Sequence, residues 1–246
     1  MRIAAISDIH GNAHALRAVL ADARRQGFDV LCQIGDAFSG PLWPRETAEI
    51  LRGLDAIHVR GNHDVSLVDP GTYAPGRADR FALAELDAAT LDWIRGWPRT
   101  RAVGDEVLLF HGAPHHEDFY LLEEAPSGDP RLRPVADVER DLGGVRARVM
   151  VCGHSHTPRV VELSDGTLVV NDGSVGLPAY EEPLNGTQAF VQSGSPHAQY
   201  AIVDVTPGEV SVTLRRVAYD WREASAKAAA EGFGAWARWL SGRSRG

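Results

Sequence analysis

The sequence predicts a mixed α/β fold in which two packed sheets are flanked by helices. Three observations predict it. Residues 2–60 alternate short apolar runs with helical patterns, in the order strand, helix, strand, helix, strand. The second half instead carries strand pairs across tight turns, a mark of antiparallel pairing. The chain of 246 residues, 44% of them apolar, is long enough to bury a sizeable core. The expectation is one domain over residues 1–246, with a C-terminal helix at about 220–241 docked on it.

Arg2–Ser7 is an apolar run that reads as the first strand. From His14 to Arg25, Ala15, Leu16, Val19, Leu20 and Ala23 fall at helical spacing, and Gly27 supplies a stop. Asp29–Ile34 reads as a buried strand, Pro44–Arg52 as a helix opened by proline, and Asp55–Arg60 as a third strand. Such a run calls for a parallel sheet with right-handed crossovers. Residues 65–77 are turn-rich and predict a surface excursion, and Ala78–Arg95 predicts one amphipathic helix. Arg101–Val103 and Glu106–Phe110 predict strands across Gly104-Asp105, before a long irregular segment at 113–134. Val135–Leu142 predicts a helix and Arg146–Cys152 a buried strand. Arg159–Leu163 and Thr167–Asn171 predict a hairpin, residues 178–197 an exposed loop, and Gln199–Val205 with Glu209–Val217 a further strand pair. Asp220–Ser241 predicts one helix, whose Trp221, Phe233, Trp236 and Trp239 are expected to dock it on the sheet or on a partner subunit.

Composition excludes several function classes. No apolar run approaches the roughly 20 residues of a membrane-spanning helix. No basic stretch followed by an apolar one opens the chain, so a secretory signal is not expected. The two cysteines, Cys32 and Cys152, each sit within an apolar strand-like run, which predicts buried reduced thiols and a cytoplasmic location. A formal net charge of −8 argues against general nucleic-acid binding. It leaves room for an anionic substrate, because bound divalent ions reverse the sign locally.

Polar clusters punctuate the strands at their carboxyl ends, where open α/β sheets bind ligands. Asp8 and His10 follow the first strand, Asp36 the second, and Asn62, His63 and Asp64 the third. His111 follows the strand ending at Phe110, and His154 and His156 follow Cys152. Asp8 and His10 stand at i and i+2, on one face of an extended segment, so both can reach one point. Five of the ten histidines lie at these ends. Carboxylate, imidazole and amide oxygen together suit Mn, Fe, Zn, Co or Ni better than Ca or Mg.

The ordered series Asp-x-His, Gly-Asp, Gly-Asn-His-Asp, His-Gly and Gly-His-x-His resembles the motifs of the calcineurin-like metallophosphoesterases, from Met1 to about Ser174. The resemblance implies a four-layer α-β-β-α sandwich holding two divalent metal ions. Asp8, His10 and His156 would hold the first, Asn62, His111 and His154 the second, and Asp36 would bridge both. Manganese is the expected metal, with Fe, Zn, Ni or Co as alternatives. A bridging water or hydroxide would be the nucleophile, since two cations about 3.5–4 Å apart activate a shared water and clamp phosphoryl oxygens. His63 would protonate the leaving-group oxygen or stabilise the transition state, a role suited to imidazole. Asp64 would orient His63 or form the turn.

Departures narrow the expectation. Protein phosphatases of this superfamily carry Gly-Asp-x-x-Asp-Arg-Gly, whereas this chain reads Gly35-Asp36-Ala37-Phe38-Ser39-Gly40-Pro41. Ser39 replaces the acid that pairs with the catalytic histidine, and the arginine is missing. The chain more closely resembles the small prokaryotic phosphodiesterase and diadenosine-tetraphosphatase-like branch, with Asn171-Asp172-Gly173-Ser174 where that branch has Asn-Pro-Gly-Ser. The expected function is a dinuclear metal-dependent phosphoesterase acting on a small phosphorylated substrate, diesters ahead of monoesters. A non-catalytic scaffold is disfavoured because no ligand is lost, and a nuclease because the balance is acidic. Specificity is expected in residues 65–77, 113–134 and 178–197. Asn12 is expected to shape the first loop or to hydrogen-bond phosphate or a metal ligand. His14 is expected at the surface and His58 in a structural role. His115 and His116 are expected in solvent or against substrate. A homo-oligomer is compatible with the sequence.

Overall fold

The computed structural model describes residues 1–184 and 186–245. Five elements open the chain in the expected order: β1 (Arg2–Ile6), α1 (Ala13–Gln26), β2 (Val30–Ile34), α2 (Pro44–Arg52) and β3 (Ala56–Val59). Three helices follow, α3 (Asn62–Val68), α4 (Arg77–Glu85) and α5 (Ala88–Arg95), and then strands β4 (Thr100–Val103) and β5 (Val107–Phe110). The middle holds the short strands β6 (Glu123–Glu124) and β7 (Arg131–Leu132), helix α6 (Val135–Asp141), and strands β8 (Val149–Cys152), β9 (Arg159–Glu162) and β10 (Leu168–Asn171). Strands β11 (Ala179–Leu184), β12 (Thr187–Gln192), β13 (Ala198–Val205) and β14 (Val210–Val217) precede helices α7 (Trp221–Ala230) and α8 (Gly234–Trp239).

Two five-stranded sheets dominate, ordered β14-β13-β1-β2-β3 and β4-β5-β8-β10-β9. Each is parallel at its centre: β1 with β2 and β2 with β3 in one, β5 with β8 and β8 with β10 in the other. The parallel strands send their carboxyl ends, and the polar clusters, to one edge.

Side-chain alternation along the strands sets the layers. Ile3, Ala5, Cys32, Ile34 and Val203 of the first sheet meet Val107, Leu109, Val149, Val151 and Val170 of the second in one buried cluster. The opposite face of the first sheet, with Ala4, Ile6 and Leu31, packs on Leu16, Val19 and Leu20 of α1 and Leu51 of α2. The opposite face of the second, with Phe110, Met150 and Val169, packs on Val138 of α6 and the adjoining Leu142. The outcome is the expected α-β-β-α layering. Cys32 and Cys152 are buried and unbridged, and burial pushes the Cys32 thiol up to about 12. Among the described residues, no helix is long and apolar enough to cross a membrane.

Four segments differ from the sequence expectation. The excursion at 65–77 begins as helix, because Asn62–Val68 forms α3. The helix expected over 78–95 is two, since Asp87 caps α5 by accepting the Thr90 N–H at 2.7 Å. The loop expected at 178–197 contains the antiparallel pair β11 and β12, with Ala179, Tyr180 and Val191 buried. Its Glu-Glu-Pro run obscures the strand alternation, and Asn185, part of the expected loop, lies outside the described residues. The helix expected over 220–241 breaks into α7 and α8 at Gly232, whose φ of +78° suits glycine.

One buried cluster pins α1 to the outer strands. Asp22 accepts Arg215 Nε at 2.6 Å and the Tyr200 hydroxyl at 2.7 Å. Arg215 chiefly, against the cost of burial and with help from Tyr200, holds the Asp22 carboxyl down at about 2. A depressed carboxylate stabilises the fold above its unfolded pKa near 4, and that stability is lost as pH falls through about 4 to 2. Asp22→Asn is therefore expected to cost about 2 kcal/mol at neutral pH. Denaturant melts should show the gap to wild type closing as pH falls over that window. A gap that stays constant with pH would remove the charge from the account.

Candidate metal centre

The backbone at the strand ends aims the polar side chains. Asp8, His10, Asp36, His154 and His156 are the described non-glycine residues with positive φ, between 51° and 69°. The left-handed region costs an ordinary residue about 1–2 kcal/mol and marks sites where function holds the strain. Asp8 and His10 are thus not side by side on an extended strand, as the sequence suggested. β1 ends at Ile6, and two left-handed turns fold both side chains back towards one centre. Glycine precedes the clusters because the chains touch there. A Cβ on Gly61 would collide with the Asp36 carboxylate, and one on Gly153 with Ser7 and Asp8.

The side chains converge in two groups, Asp8 with His10 and His156, and Asp36 with His111 and His154. Within each group the candidate ligand atoms all lie within 4.8 Å of one another. His156 Nε2 stands 3.2 Å from Asp8 Oδ1, and His111 Nε2 stands 3.2 Å from Asp36 Oδ2. The groups adjoin, since His111 Nε2 is also 3.8 Å from Asp8 Oδ1. Asn62 lines the same cleft, and its Oδ1 is buried with no hydrogen-bond partner among the described residues.

Three imidazoles have one nitrogen committed. His10 Nδ1 donates to the Ser39 carbonyl at 2.8 Å, His111 Nδ1 to Ile34 at 2.7 Å, and His156 Nδ1 to Leu177 at 2.6 Å. Carbonyl oxygens only accept, so Nδ1 carries a proton and Nε2 is the nitrogen that faces the centre. On His111 burial opposes charge, but the adjoining Asp36 and then Asp8 outweigh it and raise the pKa to about 10, so its Nε2 holds a proton that a metal ion would displace. His10 Nε2 and His156 Nε2 nevertheless stand 3.2 Å apart. Two lone pairs facing each other at that distance call for a cation. His111 Nε2, His154 Nε2, Asn62 Oδ1 and Asp8 Oδ1 are likewise buried, with no hydrogen-bond partner among the described residues. The donor set therefore fits divalent metal ions, with Nδ1 anchoring that orients each ring as metal sites require.

Burial and then the neighbouring His156 push His10 down to about 4, and burial and then His111 push His154 down to about 3. Both rings are neutral at pH 7, the form that binds metal. Despite burial, His156 and His111 hold Asp8 at about 2, so its carboxylate stays charged. Asp8 Oδ2 is fixed by the Ser7 hydroxyl at 2.6 Å and the His154 N–H at 3.0 Å, which leaves Oδ1 for a ligand. Ser7 Oγ also lies 2.6 Å from Asp172 Oδ1. Burial raises the Asp172 carboxyl well above its usual range, and the Ser7 hydroxyl stands as the donor between the two acids. Asp172 thus orients a candidate ligand at the position where proline was expected.

His63 lies at the mouth of the cleft, with its side chain 38% exposed. Its Nδ1 is 2.8 Å from Asp79 Oδ1, and the Ser39 hydroxyl donates to the same oxygen at 2.5 Å. Burial opposes charge on His63, but Asp36 and then Asp79 hold it above its ordinary value. Asp79 is a residue that sequence reasoning missed. Its local signal, Gly76-x-x-Asp79 at a helix start, reads as a cap, and Asp79 Oδ2 does accept the Gly76 N–H at 2.6 Å. Asp64 does not contact His63. Its carboxylate accepts the N–H groups of Asp36, Ala37 and Gly61 at 2.7, 3.0 and 2.9 Å, so it forms the turn beneath the site.

The remaining polar residues sort by contact. Asn12 caps α1 through the Ala15 N–H at 3.1 Å and donates to the Gly176 carbonyl at 3.0 Å. It is tied to protein, not to phosphate. His14 stacks on Trp43 at 4.0 Å, and His58 on Trp97 at 4.7 Å. His115 packs near Phe119, and His116 near Tyr73. From the long loop, Asp118 Oδ1 approaches His154 Nε2 at 3.5 Å, a contact with no sequence signal.

Two packed mixed sheets whose strand ends converge carboxylates and imidazoles in two adjoining groups define a metallophosphoesterase. The chain belongs to the calcineurin-like phosphoesterase superfamily, whose domain matches residues 1–206. It is 26% identical to a metallophosphoesterase of Sphaerobacter thermophilus, whose crystal structure superposes with a TM-score of 0.73 over 98% of this chain and 99% of that one. It is 26% identical over 242 residues to an uncharacterised protein of Methanocaldococcus jannaschii, covering 92% of this chain and 90% of that one. A hypothetical protein of Pyrococcus horikoshii, 19% identical, shares the fold with a TM-score of 0.74 over 99% of this chain and 98% of that one.

Proposed function

We propose that the chain is a dinuclear metal-dependent phosphoesterase that hydrolyses small phosphorylated substrates, phosphodiesters ahead of monoesters. The observation that carries the reading is the pair of Nε2 lone pairs on His10 and His156, 3.2 Å apart with both Nδ1 atoms committed to carbonyls. Asp8, His10 and His156 would hold one ion and Asn62, His111 and His154 the other, with Asp36 between them. Such a pair, manganese for preference and Fe, Zn, Ni or Co otherwise, supplies an activated water and a clamp on the phosphoryl oxygens.

The chain's own residues do the rest. His63, held cationic by Asp36 and Asp79, donates a proton to the departing ester oxygen. Asp79 fixes its Nδ1 proton, so Nε2 is the nitrogen left for the substrate. Asp64 and Ser7 hold the loops that carry Asp36 and Asp8. Diesters are placed ahead of monoesters because, beyond the ions and His63, the cleft sets Arg77 against Asp79, Glu181 and Glu182 and gives a second phosphate charge little further support. Protein reconstituted with Mn²⁺ is expected to hydrolyse bis-p-nitrophenyl phosphate. Folded protein that stays inert with Mn, Ni, Co and Fe would overturn the reading.

A further inference from the structure

The cleft over the candidate metal centre is about 370 Å³, within the usual range for small-molecule sites. One wall is aromatic and comes from the C-terminal helices. Phe233, Trp236 and Trp239 all line it. These residues lie beyond residue 206, where the superfamily domain ends. Trp236 meets the ring of His10 edge-on, with centroids 5.8 Å apart, so the wall continues directly from the candidate ligands. Trp236 and Trp239 are 6.2 Å apart and inclined by 46°, and both are half-buried. The sequence expectation that these rings merely dock the helix is thus incomplete. Phe233 and Leu240 are buried with Leu42, Tyr180 and Val191, while Trp236 and Trp239 pack only partly on the same cluster and also line the cleft. The Ser225 hydroxyl donates to the Ala237 carbonyl at 2.7 Å and ties α7 to α8. The wall is therefore held before any ligand arrives.

Charge around the wall is already compensated. Glu181 pairs with Arg238 at 2.8 Å, and Glu182 accepts the Tyr120 hydroxyl. The Arg77 guanidinium lies 4.0 Å over the Phe233 ring and donates to the Gly232 carbonyl at 3.0 Å. A flat neutral ring placed there would gain stacking and apolar contact without needing a counter-charge.

We propose that Trp236 and Trp239 form a subsite for a flat, uncharged aromatic ring on the ester group, so that the preferred substrates are aryl phosphoesters. The inference rests on the phosphoesterase reading for its phosphate end, but its test needs no turnover. Calorimetry on Mn²⁺-loaded protein would compare phenylphosphonate with methylphosphonate, which share a phosphonate head and differ by the ring. The wild type is expected to bind phenylphosphonate about tenfold more tightly. That ratio should fall to near one in Trp236→Ala and Trp239→Ala, while Trp236→Phe, which keeps a ring, retains most of it. Equal affinity of the two ligands in the wild type, or a ratio unchanged in both alanine variants, would overturn the subsite. Absence of binding by either phosphonate would overturn it too. A protein that binds with the expected preference yet cleaves no ester would keep the subsite and lose the catalytic reading. One that cleaves esters without the preference would do the reverse.

Discussion

Asp36→Asn is expected to release both metal ions together and to lower kcat by about a thousandfold or more. Paired ions supply several kcal/mol of transition-state stabilisation, and each 1.4 kcal/mol is about tenfold in rate. Asp36 belongs to the group with His111 and His154 and is 2% exposed. Its Oδ2 is 3.2 Å from His111 Nε2, and its Oδ1 accepts the His63 N–H at 2.9 Å. Although burial opposes charge there, His111 and then His63 hold the carboxyl well below its usual range. Asparagine keeps the shape and the hydrogen bond to His63 and removes the charge, so the fold should survive. Elemental analysis of the purified variant reads the outcome as metal per chain. Loss of one ion with full retention of the other would refute a bridging Asp36.

His63→Ala is expected to keep both ions and lose about 10²–10⁴-fold in turnover, the usual size of a general-acid contribution. Unchanged rates would remove His63 from the mechanism. Asp79→Asn is the companion variant, because Asp79 meets the ring at Nδ1 and leaves Nε2 free to face the cleft. Its carboxylate helps to hold His63 protonated, so its loss lowers the His63 pKa. A required acid loses activity as pH rises through its pKa. The alkaline limb of the rate profile should therefore move to lower pH in Asp79→Asn, with metal content unchanged. A limb that does not move would make Asp79 a helix cap alone.

The strand ends were legible because parallel βαβ units deliver every carboxyl end to one edge, so a polar residue placed there in sequence is placed there in space. This holds for Asp8, Asp36, Asn62, His111 and His154, which come from β1, β2, β3, β5 and β8. The layering was legible for a similar reason, since apolar alternation assigns each strand face without reference to its partner. The β11–β12 pair was not, because Glu181, Glu182 and Pro183 break the alternation while Tyr180 and Val191 still bury their rings and methyls. The break at Gly232 was not either, because helix-forming residues run on both sides of it and a single glycine does not by itself mark a stop.

The sequence alone determined the ligand types, their order and the edge of the sheets at which they meet, because period-2 and period-3.6 patterns and strand-end motifs are local. Only the tertiary structure decided how they act. Left-handed backbone turns Asp8 and His10 inward, carbonyls far along the chain select which imidazole nitrogen faces the centre, and Asp79 rather than Asp64 meets His63. It also decided that Trp236 borders His10 across 226 residues of chain (236 − 10). Each of these depends on contacts between residues distant in sequence, and a hydrogen bond or a packed ring leaves no periodic trace in the chain that makes it.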